Sequence, residues 1–397
     1  MLNVDVSSEI GQLEGVILHK PGIEIEQMVP QTIEQCLYSD LLNLKIAQKE
    51  YYYFQEVLSK WTKTYQINDL LTEILKDTSI KLSLVNEVLE KENKINLAEE
   101  LLSIEASELS RILIEGRENM LDPLYNLFFT RDASSSLYNQ VLIHTMQHEV
   151  RSRESIIMNY IFKHYFKAET ISTLSHSKEA NTEGGDVLVA REDVILLGQG
   201  MRSNKKGLEF LISHYAQRKS KFNILVQNLP FSPESFIHLD MVFTMLSKDK
   251  CMTYEPLIVK NYGNFDVTHI EIDNCKVSFH QKPNFMQGLK DLGFDLEPIK
   301  CGGDNPLYQD REQWHSGANF FSLGEGKIIG YSRNSNTIEA LNQSGFEVLR
   351  AEDICNDKVN MIDYERFVVT IDAAELPRGG GGARCMTMPV RRTKVDW

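Results

Sequence analysis

The sequence predicts an α/β protein assembled from repeated strand–strand–helix units, with a helical segment inserted among them. The repeats are visible in residues 185–204 and 318–334, where two apolar runs joined by a turn lead into an Arg- and Asn-containing turn and a helix-like stretch. A third, looser copy begins at His238. Because each unit has to bury its apolar face against its neighbours, the pattern favours a pseudo-symmetric, propeller-like assembly.

The other elements are predicted in order along the chain. Residues 10–20 form a turn and a short apolar strand that ends at the breaker pair Pro21-Gly22. Apolar residues recur at helical spacing from about Leu41 to Trp61. Residues 69–117 keep a helical pattern without a proline, which predicts a small bundle of helices. After Pro123 the pattern changes to short β-branched and aromatic runs separated by Gly, Asn and Asp.

Composition excludes several classes of protein. The 397 residues suffice for two or three domains of roughly 100–200 residues, or for one large repetitive domain. The 42 basic and 56 acidic side chains give a net charge of −14, which argues against binding to nucleic acid or to an anionic membrane surface. No apolar run approaches the roughly 18 residues of a spanning helix, and the N-terminus lacks a secretory pattern. Six scattered cysteines without a CxxC pair favour a reduced, cytosolic protein whose cysteines are mostly buried.

The segment Arg378–Pro389 combines four glycines with a cysteine. The glycine run predicts a mobile loop, because glycine adopts backbone conformations that are closed to other residues. Cys385 follows the run beside Arg384, a position that predicts an exposed thiol with a lowered pKa and the role of a nucleophile. The alternative is a disordered tail with an incidental thiol, although the apolar run Met386–Val390 favours a docked strand.

Two further motifs carry acid and base groups. In His238-Leu239-Asp240 the i, i+2 spacing would place both polar side chains on one face of a strand, where the His can act as a general acid and base. A structural hydrogen-bonded pair is the alternative. The glycines of Glu183–Asp186 would let the backbone approach another element or a ligand closely. A tight turn with solvated acids is the alternative for this motif.

Asp132 follows Phe128 and Phe129, so its carboxylate is predicted to be partly desolvated and to need a cationic partner. Arg131 is one candidate partner, and a bound substrate cation is the other. The whole set consists of one Cys, one His and several carboxylates, without metal-ligand spacing or a phosphate-binding loop. Carboxylates that converge on a thiol suit a planar cation such as a guanidinium, which pairs with carboxylates bidentately.

With these motifs in the same order along almost the whole chain, the sequence resembles the arginine deiminases of the guanidino-group-modifying, or pentein, superfamily. The residues that carry the resemblance are Ser8–Gly11, Leu18–Gly22, Ile46–Glu50, Asn126–Asp132, Val150–Glu154, Glu183–Asp186, His238–Asp240, Cys301–Gly303, Arg311–Trp314, Gly317–Asn319 and Cys385–Pro389. The resemblance implies a five-bladed, pseudo-symmetric α/β propeller over residues 1–68 and 118–397. It also implies that residues 69–117 are an inserted α-helical bundle.

The resemblance implies a role for each matching residue. Cys385 would be the nucleophile that attacks the guanidinium carbon, and His238 would be the acid and then the base. Asp132 and Asp240 would bind the guanidinium nitrogens, and Glu183 would hydrogen-bond beside the histidine. Two arginines, Arg151 and Arg202, would contact the substrate's α-carboxylate. Asn126 and Phe129 would contact its amino end and its alkyl stem. A surface salt bridge with Glu149 or Glu154 is the alternative for Arg151.

One departure from the family pattern lies in the glycine run. The family usually has a second Arg five residues before the nucleophile, in a loop that gates the site, and this chain has Gly380 there. Arg378 or Arg384 could take that role. A smaller departure is Ala133, where the family usually has Pro.

The function expected from the resemblance is hydrolysis of L-arginine to L-citrulline and ammonia in arginine degradation, without a metal or an organic cofactor. The partners expected are the small-molecule substrate and a homo-oligomer in the cytoplasm, with neither nucleic acid nor membrane. The alternatives are another guanidino-modifying enzyme, an agmatine deiminase or an amidinotransferase, or a non-catalytic arginine-binding homologue.

Overall fold

The computed structural model describes residues 2–397, which contain both strands and helices. In chain order the strands are β1 (Leu13–Leu18), β2 (Lys63–Gln66), β3 (Ser134–Leu137), β4 (Gln140–Ile143), β5 (Glu169–Ser172), β6 (Val187–Arg191), β7 (Val194–Gln199), β8 (Lys221–Asn228), β9 (Phe243–Met245), β10 (Lys250–Thr253), β11 (Val267–Asp273), β12 (Lys276–Lys282), β13 (Glu297–Lys300), β14 (Phe321–Gly324), β15 (Lys327–Tyr331), β16 (Glu347–Arg350), β17 (Phe367–Ile371) and β18 (Met388–Arg392). The α-helices are α1 (Leu44–Trp61), α2 (Ile67–Leu75), α3 (Thr78–Lys91), α4 (Ala98–Ser103), α5 (Ala106–Glu115), α6 (Ser152–Tyr160), α7 (Lys205–Ala216), α8 (Glu255–Ile258), α9 (Phe285–Asp291), α10 (Pro306–Trp314), α11 (Ser335–Gln343) and α12 (Ala351–Cys355).

The strands of residues 2–397 form five sheets that share one pattern. In each sheet two strands pair antiparallel, and a third strand, reached through a helical connection, runs parallel to the second. These three-strand cores are β18-β1-β2, β3-β4-β5, β6-β7-β8, β9-β10-β13 and β14-β15-β17. Strands β11 and β12 extend the third of these sheets, and β16 extends the fifth. Because β18 pairs with β1, two distant parts of the chain complete a single unit.

The predicted elements are confirmed at the level of their type and approximate position. The apolar run of residues 10–20 contains β1, and the helical spacing from Leu41 to Trp61 corresponds to α1. The helical pattern of residues 69–117 corresponds to α2 to α5, with α2 beginning two residues earlier, at Ile67. The two clear repeats are the units β6-β7-α7 and β14-β15-α11, and the third copy is β9-β10-α8.

Helix α1 shows how local signals and packing combine near the site. The Asn43 side chain caps its N-terminus by accepting a hydrogen bond from Ile46 N, which satisfies one of the free N–H groups of the first turn. Its buried face, with Tyr51 and Phe54, packs into an apolar cluster with the strands β15 and β17. The same cluster contains Cys385, so the backbone around this thiol is fixed by core packing.

Helices α2 to α5 share an apolar core with β18 and with the β3-β4-β5 sheet. This core includes Leu71, Leu84 and Leu113 from the helices and Val141 and Met388 from the strands. No helix in residues 2–397 is long and apolar enough to cross a membrane. All six cysteines are free thiols: four of them are buried, Cys355 is half-buried and Cys275 is exposed.

Candidate active site

The predicted catalytic residues come from the same place in different units. Asp132, Glu183, His238 with Asp240, and Cys385 each lie in the segment just before the first strand of a unit, namely β3, β6, β9 and β18. All five residues are buried, with at most 3% of their surface exposed. The repeated fold therefore brings residues that are far apart in the sequence into one buried cluster.

His238 lies at the centre of this cluster, between two carboxylates. Its Nε2 is 2.9 Å from Glu183 Oε2, and its Nδ1 is 3.8 Å from Asp132 Oδ1. Burial alone would lower the pKa of His238, but the Asp132 carboxylate and the hydrogen bond to Glu183 outweigh it and raise the pKa to about 9. At neutral pH the ring is therefore protonated and can donate a proton.

The prediction that His238 and Asp240 lie on a strand is wrong. Residues Leu239–Met241 form a 3₁₀ turn, and His238 is the extended residue that precedes it. Leu239 N donates to Asp186 Oδ1 at 2.9 Å, so a tertiary contact holds this turn.

The prediction of close backbone approach in Glu183–Asp186 is confirmed, because a Cβ on Gly185 would lie only 2.5 Å from the His238 ring. Neither acid of this motif is solvated, since Glu183 and Asp186 are fully buried.

Cys385 differs from the prediction in its exposure and its pKa. It is 3% exposed, and burial, reinforced by Asp240 and Asp132, raises the pKa of the thiol well above its ordinary value. Arg384 lowers the pKa only in part, because its charge is paired with Glu9 and with Asp240 itself. The thiol contacts Asn319 Nδ2 at 3.3 Å and Asp240 Oδ2 at 3.9 Å. The thiolate therefore requires an added positive charge nearby.

Asp132 and Asp240 each have one paired and one free oxygen. Arg151 donates to Asp132 Oδ2 and Arg384 donates to Asp240 Oδ2, both at 2.8 Å. The Oδ1 atom of each carboxylate is buried and has no hydrogen-bond partner within residues 2–397. Since an unpaired buried acceptor costs about 1–3 kcal/mol, the cluster is built to receive a donor. The suggestion that Arg131 pairs with Asp132 is wrong, because Arg131 donates to Arg384 O and Thr387 Oγ1.

Arg384 is a buried structural cation. Its side chain is 1% exposed and donates to Asp240 and, through two nitrogens, to Glu9. It therefore cannot serve as the gating arginine suggested by the sequence. Arg378, the other candidate, is exposed and pairs with Asp40 and Glu375.

We expect Glu9→Gln to destabilise the protein by about 3–5 kcal/mol, because it leaves the buried Arg384 charge partly uncompensated. Burial would raise the pKa of Glu9, but Arg384 outweighs it and lowers the pKa from 4.5 to about 2. A carboxyl with a lowered pKa stabilises the fold above the unfolded-state pKa of 4.5, and this contribution is lost as the pH falls towards 2. Urea denaturation between pH 7 and pH 3 measures both effects.

The matched control is Glu14→Gln, which removes a half-exposed ion pair with Arg391. A solvent-screened pair of this kind contributes less than about 1 kcal/mol. Equal destabilisation by the two variants would contradict the assignment of Glu9 as the main counterion of Arg384.

The four predicted substrate-contact residues lie in different surroundings. Arg151 donates hydrogen bonds to Asp132, Glu154 and Phe129 O. Arg202 forms a single ion pair, with Glu183, at a distance of 3.3 Å. Asn126 Nδ2 donates to Cys36 O. The Phe129 ring packs against Phe128, with the ring centroids 4.0 Å apart.

A cavity of about 670 Å³ lies beside the buried cluster. Its lining includes Arg202, Ile237 and the glycines 379–380, but none of the five predicted catalytic residues. Gly381 packs against the Phe129 ring and Gly382 against Asn319, which contacts the Cys385 thiol. The segment 379–382 therefore borders the cavity through Gly379 and Gly380 and lies next to the cluster through Gly382.

Asn319 also belongs to the cluster, although the sequence motifs do not predict a catalytic role for it. Its Nδ2 contacts Asp240 O and Cys385 Sγ, and its Oδ1 accepts from Arg384 N at 2.9 Å. It precedes β14, so the fifth unit also contributes a polar side chain at this location. The internal repeat was the available signal, because Ala318-Asn319 occupies the position of Gly185-Asp186 in the other copy.

Asp132, Glu183 and His238 also have the geometry of a metal-binding group, since one ligand atom from each lies within 4.8 Å of the others. A metal requires the neutral imidazole, but these carboxylates raise the pKa of His238 to about 9. Both carboxylates also pair with arginines. The group is therefore suited better to an organic cation with its own N–H donors than to a metal ion.

Comparison with known proteins identifies the same family as the motifs do. Residues 97–392 match the family model for arginine deiminase. The chain belongs to the arginine deiminase family. The arginine deiminase of Bacillus cereus (strain ATCC 10987 / NRS 248) is 32% identical, and the alignment covers 99% of both chains. The resemblance of the motifs to arginine deiminases is thus confirmed.

Solved structures of pentein enzymes resemble this arginine deiminase family member in fold. The product-bound N-terminal domain of ArgZ, an arginine dihydrolase from the ornithine–ammonia cycle in cyanobacteria, aligns over 96% of this chain and 98% of its own, with a TM-score of 0.56 and 14% identity. Unliganded AgrE aligns with a TM-score of 0.55 and 14% identity, and this chain spans 40% of its length. At this identity the likeness shows the fold alone.

Proposed function

We propose that the protein hydrolyses L-arginine to L-citrulline and ammonia through a covalent amidino intermediate on Cys385. One observation carries the proposal: the buried Cys385 thiol lies 3.9 Å from Asp240, the His238 ring lies 3.8 Å from Asp132, and each of these two carboxylates has a buried oxygen without a hydrogen-bond partner. Membership of the arginine deiminase family supports the choice of substrate.

The substrate guanidinium binds between Asp132 Oδ1 and Asp240 Oδ1, the two buried acceptors that have no partner in residues 2–397. Its N–H groups satisfy these oxygens, and its positive charge compensates the excess of carboxylates around His238. The same charge favours the thiolate of Cys385, which burial and carboxylates otherwise disfavour. Binding and activation of the nucleophile are thereby coupled.

The first half of the reaction forms the S–C bond. As Cys385 Sγ attacks the guanidinium carbon, its proton passes to Asp240 Oδ2, which lies 3.9 Å away. Protonated His238 then donates its proton to one terminal nitrogen, the C–N bond breaks, and ammonia leaves. The product of this half-reaction is a positively charged amidino group on the sulfur.

The second half releases citrulline. Neutral His238 accepts a proton from water, and the resulting hydroxide attacks the amidino carbon. The adduct then collapses to citrulline: the S–C bond breaks, the hydroxyl proton of the adduct passes to water, and Asp240 returns to the Cys385 sulfur the proton that it accepted in the first half. Glu183, which accepts the His238 hydrogen bond at 2.9 Å, holds the ring in place and stabilises its charged form in both halves.

Arg202 would bind the α-carboxylate of the substrate. It lines the cavity, and its Nε is buried without a hydrogen-bond partner in the described chain. A substrate without a carboxylate, such as agmatine, would leave this cation less well compensated. The role predicted for Arg151 at the same carboxylate, and the contacts predicted for Asn126 and Phe129, stay predictions.

We also propose that the five units surround a pseudo-fivefold axis, with α2 to α5 as the inserted bundle of residues 69–117. The convergence of five pre-strand segments on one cluster supports this arrangement. The protein would act in the cytoplasm, as a homo-oligomer, in arginine degradation, and without a metal or an organic cofactor.

The test is a product assay with L-arginine, agmatine and methylarginines, each with and without an added amine and with and without a chelator. We expect equal amounts of citrulline and ammonia from L-arginine, unchanged by amine or chelator. Preferential turnover of agmatine would identify an agmatine deiminase, and amidino transfer to the amine would identify an amidinotransferase. Arginine binding without any product would indicate a non-catalytic homologue.

A further inference from the structure

Four of the five units contribute a predicted catalytic residue to the buried cluster, and the fifth unit contributes Asn319. This residue lies just before β14, the first strand of its unit, as Asp132 lies before β3 and Cys385 lies before β18. Asn319 is 1% exposed. The repeat thus places its amide where the other units place their reactive groups.

The orientation of the Asn319 amide is fixed by two backbone atoms. Arg384 N can only donate, and it lies 2.9 Å from one end of the amide, so that end is the oxygen Oδ1. Asp240 O can only accept, and it lies 3.1 Å from the other end, so that end is the nitrogen Nδ2. Nδ2 also lies 3.3 Å from Cys385 Sγ. Of its two hydrogens, one is therefore available to the sulfur.

The backbone of the glycine run allows this close approach. A Cβ on Gly382 would lie 2.5 Å from Asn319 Oδ1 and 2.6 Å from Asn319 Cβ. Any larger residue at position 382 would push the amide away from its place beside Cys385. Gly382 is therefore required by the amide, whatever the mobility of the rest of the run.

The Cys385 sulfur needs a donor, because most of its surroundings oppose its ionisation. Burial, Asp240 and Asp132 raise the pKa of the thiol well above its ordinary value. The backbone N–H of Gly382 and the charge of Arg384 act in the opposite direction, but they do not outweigh these effects. A further hydrogen bond to the sulfur would favour the thiolate.

The other titratable groups of the cluster do not supply this hydrogen bond. The His238 ring nitrogens face Glu183 and Asp132. The Tyr331 hydroxyl donates to Gly381 O at 3.1 Å, and burial raises its pKa well above the ordinary value, so it stays neutral. Within residues 2–397, the Asn319 amide is the side-chain group that donates to the sulfur.

We infer that Asn319 is a catalytic residue, whose amide donates a hydrogen bond to the Cys385 sulfur and stabilises the thiolate that forms as the proton passes to Asp240. The inference rests on the proposed function for the identity of the nucleophile. A hydrogen bond to a charged acceptor is stronger than one to a neutral acceptor, so the amide binds the thiolate more tightly than the thiol. When the S–C bond of the adduct breaks, the same N–H stabilises the sulfur until Asp240 returns the proton.

The test measures ionisation of the sulfur separately from turnover. The probe is 2-chloroacetamidine, whose amidinium carries the charge and the N–H groups of a guanidinium and whose chloride is displaced by a thiolate. Mass spectrometry of the peptide that contains Cys385 gives the alkylation rate between about pH 6 and pH 10. In the wild type this rate should rise with pH to a plateau as the thiol ionises.

We expect Asn319→Leu, which has a similar volume but no donor, to move the midpoint of this profile to higher pH. The lost hydrogen bond should lower the thiolate fraction about 10–100-fold below the midpoint. Alkylation there should slow about 3–10-fold, because the more basic sulfur is also more nucleophilic. Asn319→Asp keeps the shape of the side chain and the acceptor for Arg384 N, and it should move the midpoint in the same direction. Circular dichroism checks that both variants are folded.

Thr244→Val is the matched structural control. Thr244 Oγ1 donates to Ala318 O at 2.6 Å and accepts from Phe320 N at 3.4 Å, so this variant loosens the backbone on both sides of Asn319 and leaves the amide unchanged. It should lower the thermal stability and keep the wild-type midpoint. An unmoved midpoint in one of the Asn319 variants, or an equal shift in Thr244→Val, would show that Asn319 only supports the structure and would overturn the inference.

Steady-state kinetics separate this inference from the proposed function. With L-arginine, Asn319→Leu should lower kcat about 10–100-fold and change KM less than about threefold, because the free oxygens of Asp132 and Asp240 remain. If the midpoint moves as expected but the wild type forms no citrulline, only the proposed function fails. If the wild type forms citrulline and the midpoint of the Asn319 variants does not move, only the further inference fails.

Discussion

Cys385→Ala is expected to abolish citrulline formation, with a loss in kcat of at least about 10⁴-fold, while L-arginine binding persists. The size of the loss follows from the proposed chemistry, since no covalent intermediate can form without the sulfur and the nucleophile acts as a unit with its acid and base. Binding persists because the two free carboxylate oxygens, on Asp132 and Asp240, are untouched. The measurements are a citrulline assay and an L-arginine titration.

An exposed cysteine provides the matched control for this variant. Cys275 lies on the surface, so Cys275→Ala should retain full activity. Acid quenching of the wild type during turnover, followed by mass spectrometry, should locate the amidino adduct on the peptide that contains Cys385. Residual citrulline from Cys385→Ala beyond the stated limit, or an adduct on another residue, would refute the assignment of the nucleophile.

The second large effect is expected for His238→Asn, which should lower kcat by about 10²–10⁴-fold, the usual contribution of a positioned general acid and base. The variant keeps a side-chain polar group but cannot donate a proton to departing ammonia. Both halves of the reaction should slow, because the same ring then serves as the base for water. Steady-state kinetics with L-arginine measure the loss.

The pH profile tests the same residue independently. The pKa of His238 is raised to about 9 by Asp132 and the hydrogen bond to Glu183, so the acid form is present below that pH and disappears above it. Wild-type kcat/KM should therefore fall as the pH rises through about 9, and His238→Asn should lack this descending limb. His280→Asn, which changes a half-exposed histidine on β12, should keep the wild-type profile. An unaltered limb in the His238 variant would contradict its role as the acid.

The sequence predicted those features that depend on local pattern or on motif identity. The repeats near residues 185 and 318 were visible because each hairpin and its helix are contiguous in the chain. The clustering of Asp132, Glu183, His238, Asp240 and Cys385 could be expected only from the resemblance, since these residues come from different units. Their contacts agree with that expectation, and their catalytic roles stay proposals.

The errors arose where long-range contacts determine the outcome. Cys385 was expected to be exposed beside a free arginine, but Arg384 reaches Glu9, which lies 375 residues away in the chain, and no local signal reports this pair. The i, i+2 spacing of His238 and Asp240 fits a strand, but the contact from Leu239 N to Asp186 fixes a 3₁₀ turn instead. In both places tertiary packing outweighs local pattern.

The pairing of β18 with β1 has a consequence for how the protein is made. The Arg392 side chain reaches the Gly11 carbonyl across 381 residues, and β1 lacks its antiparallel neighbour until β18 has been synthesised. During translation β1 therefore has one unpaired edge. This favours slow completion of its sheet, and the exposed edge would need protection by chaperones. Because Cys385 lies just ahead of β18, the nascent chain would acquire its nucleophile and its last sheet contact in the same late step of folding.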